Sequence, residues 1–134
     1  MPELPLPLLW WRVLVARWAP WRSGARLRRA LQPAADRGIG SSPGDAEHVA
    51  RRIARAARAV PGSRCLDRAL VLTETLRGRG AAAALRLGVR REAGALRAHA
   101  WVELDGCPLG ESAAALAALA PLGVPELARA VFDR

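Results

Sequence analysis

Cys65 and His99 are the residues of this chain best suited to nucleophilic chemistry. Cys65 lies in Pro61-Gly-Ser-Arg-Cys65-Leu-Asp-Arg-Ala-Leu70, where Pro61-Gly62 ends one helical pattern, Ser63 can cap a new one and Asp67 sits in its first turn. A thiol at a helix N-terminus feels the positive end of the helix dipole and several unpaired N–H groups, which favour thiolate. His99 lies in Leu96-Arg-Ala-His99-Ala-Trp-Val-Glu103-Leu-Asp105-Gly106, an alternating stretch that reads as a strand.

A cysteine nucleophile needs a base within hydrogen-bond reach and a third group that orients the base. The inventory is short: two histidines, two cysteines, one glutamine (Gln32), no asparagine and no tyrosine. His48 falls on an arginine-rich helix, which suits a surface role. His99 shares a strand face with Trp101 and Glu103, a rigid platform across which the cysteine helix can pack. The third member must then be a carboxylate, and the register of the following hairpin decides which. A two-residue loop at Asp105-Gly106 would set Leu104 opposite Cys107 and His99 opposite Ser112, leaving Glu111 on the other face. A three-residue loop with Gly106 left-handed in a bulge would set Glu103 opposite Cys107 and His99 opposite Glu111. The second register is expected. It puts Glu111 beside the imidazole, where it can fix the tautomer and stabilise the imidazolium.

Other chemistries lack their residues. The cysteines and histidines show no metal-ligand spacing, so no metal is expected, and neither a phosphate-binding nor a dinucleotide-binding glycine motif occurs. No cofactor is expected. Cys65 and Cys107 could form one disulfide, but the N-terminus lacks a secretory pattern, so reduced thiols in the cytoplasm are expected, with Cys107 incidental.

These residues need elements to hold them. Residues 8–31 read as one or two helices broken near Pro20, with Leu9, Val13 and Ala16 in a stripe and Trp10 and Leu14 at its margin. Trp10, Trp11, Trp18 and Trp21 fit either core packing or a docking face. Residues 32–44 read as a linker. A helix capped by Ser42 then runs to about Val60 with Val49, Ile53, Ala56, Ala57 and Val60 as its apolar stripe. The Cys65 helix extends to about Arg77, its apolar face Leu66, Ala69, Leu70, Thr73 and Leu76, and Gly78 and Gly80 stop it. The period then changes from helix to strand: residues 84–90, 96–104 and 107–111 form three strands, and residues 113–120 a short helix. Residues 121–134 carry too little pattern to assign. The even face of the second strand, Ala98, Ala100, Val102 and Leu104, also asks for cover, which the N-terminal helices can supply.

The fold class is therefore α+β, one domain of 134 residues: an N-terminal helical region and linker over 1–40, a core over 41–115 and a C-terminal extension over 116–134. The net charge of +9 is carried by arginine, since lysine is absent. Such a balance suits an acidic partner. No nucleic-acid motif is present, and only Trp101 and Phe132 are aromatic beyond position 21, so nucleic acid is not expected. The apolar run from Leu4 to Ala19 is broken by prolines and arginines, so no integral membrane segment is expected.

At Cys65-Leu-Asp-Arg-Ala-Leu70, Leu87-Gly88-Val89 and His99-Ala-Trp-Val-Glu-Leu-Asp-Gly106 the chain resembles the transglutaminase-like, papain-type cysteine peptidases that remove the leader from lasso-peptide precursors, specifically the stand-alone peptidase of the split form. The likeness covers roughly residues 45–115. It implies a transglutaminase-like core with a Cys-His-Asp triad, which maps onto Cys65, His99 and, in the third strand, Glu111. Glutamate stands where the family uses aspartate, and Asp105 in the turn is a rival third member. The resemblance also implies a precursor peptide as substrate, a separate leader-recognition protein and a downstream lasso cyclase as partners. The alternatives are an acyltransferase on the same triad and a non-catalytic basic scaffold.

Overall fold

The computed structural model describes residues 4–18, 20–33, 43–117 and 119–121. Local sequence rules account for most of its elements. The helical pattern at the N-terminus divides at Pro20 into α1 (Leu6–Trp18) and α2 (Pro20–Leu31), with proline at the first helical position of α2, where its missing N–H costs nothing. Next come α3 (Pro43–Arg58) and α4 (Cys65–Gly78). Two long strands, β1 (Ala83–Glu92) and β2 (Ala95–Leu104), form a regular antiparallel hairpin, followed by the short β3 (Cys107–Pro108), a single turn α5 (Ala113–Leu116) and the short β4 (Ala120–Pro121). The sheet order is β3-β2-β1-β4.

α4 is the hub. It packs on α1, α2, α3, β1 and β2, and Ala69, Leu70, Val71, Leu72, Thr73 and Leu76 are buried on successive sides of it. A helix covered so widely carries little amphipathic signal, and the buried hydroxyls of Thr73 and Thr75 are satisfied by donating to Ala69 O (2.8 Å) and Val71 O (2.7 Å). Leu9, Val13 and Ala16 of α1 and Val49, Ile53, Ala56 and Ala57 of α3 complete the core on one side; Ala83, Leu85, Ala100, Val102 and Leu104 complete it on the other. Trp11, 56% exposed, and Trp10 lie outside this core, Trp10 Nε1 donating to Ala59 O. The side chains of Trp18 and Trp21, and Ser42, lie outside the described residues.

Three arginines of the helical half turn inward. Arg26 grips Glu74 with Nε and a terminal nitrogen (2.6 Å at the shortest), joining α2 to α4. Arg12 donates to Thr75 Oγ1. Arg77 donates to the carbonyls of Arg29, Ala30 and Gln32 at the end of α2 and to Ala83 O at the start of β1. Burial pulls its guanidinium pKa below the ordinary value, and these carbonyl oxygens offset that desolvation.

Three expectations are corrected. The helix cap at Cys65 comes from Asp67, whose carboxylate accepts the Arg64 N–H at 2.9 Å, whereas Ser63 Oγ donates back to Ala57 O and closes the end of α3. The Ala-rich tail forms only one turn of helix before Ala120–Pro121 pairs with Gly88–Val89 of β1. Gly88 makes that approach possible: a Cβ there would stand 2.9 Å from Leu119 Cβ and 3.1 Å from the Trp101 ring. Finally, α4 covers the even face of β2, Ala100, Val102 and Leu104, and not the face of His99. The even side chains are small and aliphatic and can approach a helix closely, which the bulky polar odd face cannot.

Candidate active site

Cys65 opens α4, and its half-buried side chain faces a hollow of ≈ 90 Å³ with Arg68, Ala100, Trp101, Leu109 and Glu111. As the first residue of the helix it keeps a backbone N–H that no helical carbonyl takes.

The β2–β3 turn is the two-residue type, with Leu104 opposite Cys107 and both Asp105 (φ 51°) and Gly106 (φ 77°) left-handed. The expected three-residue loop is therefore overturned: the Asp-Gly pair satisfies a two-residue primed turn without a bulge. In that register Glu111 would fall on the core side, yet its two carboxylate oxygens lie 2.5 and 2.7 Å from His99 Nε2. The ladder explains how. Leu109 N still donates to Val102 O, after which Gly110 adopts φ 72° and donates its N–H to both oxygens of Glu47 on α3 at 3.0 Å. The left-handed residue that redirects the chain is Gly110, four residues after the one expected, and β3 ends at Pro108 instead of reaching Glu111.

His99 stacks on Trp101 with centroids 6.1 Å apart and planes 16° from parallel. Trp101 Nε1 donates to Glu103 (3.1 Å), and Glu103 pairs with Arg86 of β1. The odd face of β2 is thus an ordered row that fixes the imidazole plane. With Nε2 engaged by the Glu111 carboxylate, Nδ1 is the ring nitrogen left to meet another partner.

Asp105 is exposed at the hairpin tip, His48 is exposed on α3 and Cys107 is an exposed free thiol; none of the three joins the site. Among the described residues no hydrogen bond joins Cys65 to His99. The two residues line neighbouring hollows, and Glu111 borders both. Among the described residues, no group of three or more histidine, cysteine, aspartate or glutamate side chains could hold a metal, and no helix is long and apolar enough to cross a membrane. Sequence reasoning missed Glu47, whose spacing from Gly110 carries no local signal.

Residues 9–124 match the family model of the transglutaminase-like superfamily. The chain belongs to that superfamily. The superfamily includes cysteine peptidases and acyltransferases, and a Cys-His-Asp set is typical of it. The α+β fold expected from the sequence is the one found. No curated protein and no solved structure matches the chain.

Proposed function

We propose that this transglutaminase-like protein is a cysteine peptidase that removes the leader from a ribosomally made lasso-peptide precursor, with Cys65 as nucleophile, His99 as base and acid, and Glu111 as the orienting carboxylate. The observation that carries the reading is the double contact of Glu111 with His99 Nε2, beside a cysteine that opens the central helix. Cys65 Sγ attacks the scissile carbonyl, its proton passing to His99 Nδ1. The Cys65 backbone N–H stabilises the oxyanion. The imidazolium then protonates the departing amine, releasing one peptide and leaving a thioester. Water, deprotonated by His99, attacks the thioester, and the second peptide leaves as a free acid while the thiol is regenerated.

Cys65 and His99 make no hydrogen bond to each other and approach β2 from opposite faces, so the proton transfer requires the two side chains to be brought together when the peptide binds. We place the reaction in the cytoplasm, with a separate recognition protein delivering the leader and a lasso cyclase consuming the product. Incubating the chain with a candidate precursor, with and without its recognition protein, tests this by mass. A free leader acid supports hydrolysis, and a new amide would show acyl transfer instead. Cys65→Ala is expected to lower turnover on the order of 10³-fold or more; cleavage that survives it overturns the peptidase reading.

A further inference from the structure

Next to the His99–Glu111 pair, the sheet carries charge that its own packing does not use. Arg90 and Arg97 are direct cross-strand partners, one step along the ladder face from the Gly88–His99 pair, so both guanidinium groups stand on the face of His99. Like charges placed directly opposite on a sheet repel and destabilise it. Little in the fold offsets this. Glu92 reaches Arg90 at 3.3 Å, but both side chains are about half exposed (46% and 54%), which makes the contact weak. Among the described residues Arg97 has no ion pair and no hydrogen bond.

Both arginines line one hollow of ≈ 530 Å³ together with His99, the apolar Leu116 and Leu119 and two carboxylates, of which Glu111 is engaged by His99 and Glu92 by Arg90, leaving Arg97 as the cation there with no partner among the described residues. It is far roomier than the ≈ 90 Å³ hollow facing Cys65. An arginine fork matches a carboxylate with two parallel N–H···O bonds, and relief of the Arg90–Arg97 repulsion adds to the attraction.

We infer that this hollow is a subsite for an aspartate or glutamate side chain of the peptide substrate, gripped by Arg97 with Arg90 beside it. The inference rests on the peptidase reading for its substrate class. Within that reading it assigns specificity: the chain selects precursors that carry an acidic residue close to the bond it cuts.

The test separates the two claims by measuring binding without turnover. Fluorescent synthetic heptapeptides with one central glutamate, and twins with glutamine there, are titrated by anisotropy against the Cys65→Ala chain. The glutamate peptide is expected to bind about tenfold more tightly than its twin. Arg97→Gln removes that difference without lowering the denaturation midpoint, and Arg90→Gln reduces the difference. Arg51→Gln, on the exposed side of α3, leaves it intact. Equal binding of the twins, no binding of either, a preference that survives Arg97→Gln, or equal loss with Arg51→Gln would each overturn the subsite. If the preference holds while no precursor is cleaved by the unmodified chain, the peptidase reading fails and the anion site stands.

Discussion

The helical half and the sheet half of the molecule use the same residue, arginine, in opposite ways. In the helical half Arg12, Arg26 and Arg77 point inward, each matched to a hydroxyl, a carboxylate or a set of carbonyls. At the far end of the hairpin Arg90 and Arg97 face each other and the solvent, beside the imidazole. A net charge of +9 is therefore not one property. Part of it holds helices together, and part stands exposed on the sheet beside His99.

The comparison predicts which substitutions affect turnover and which affect stability. The largest effect belongs to the site. Glu111→Ala is expected to lower turnover by about 10²–10⁴-fold with little change in unfolding, because the imidazole loses the group that fixes its tautomer. Asp105→Asn, which keeps the left-handed turn, should leave turnover untouched; the reverse pattern in steady-state kinetics would move the third role to the hairpin tip.

Arg77→Ala comes next. It strips hydrogen bonds from carbonyls on α2 and β1, and urea denaturation should show a loss of about 2–3 kcal/mol. If Arg97→Gln were equally destabilising, the division of the arginines into two kinds would collapse.

The smallest effect sharpens the boundary between the halves. Glu47 reaches from α3 to the Gly110 N–H and so sets the segment that carries Glu111. Glu47→Ala should lower kcat about tenfold with KM little changed, and Glu47→Gln, which keeps an acceptor, should restore most of it. A KM effect alone would mean that Glu47 shapes the peptide groove and not the acid.

What could be read in advance follows from the range of the forces. The break at Pro20, the buried stripe Val49, Ile53, Ala56, Ala57 on α3 and the turn at Asp105-Gly106 depend on neighbours a few positions away, and each was visible as periodicity or turn chemistry. The face of β2 that meets α4 was not. Both faces carry apolar side chains, and the choice is made by how closely Ala100 and Val102 let the helix approach. Nothing local marks Arg77 as a clamp, since its carbonyl partners on α2 lie more than forty positions away in the chain.

The sequence by itself determined the candidates: one cysteine at a helix start, one histidine in a strand, and a third member that had to be a carboxylate because asparagine is absent. Only the tertiary structure decided how Glu111 reaches His99. A tight Asp-Gly turn sends Glu111 toward the wrong side, and Gly110, left-handed and tied to Glu47 on a distant helix, turns it back. The position of the turn is local and legible, whereas its two-residue type is not the one expected from the sequence. The hydrogen bond that redirects the chain joins residues 63 positions apart, and no local pattern encodes it.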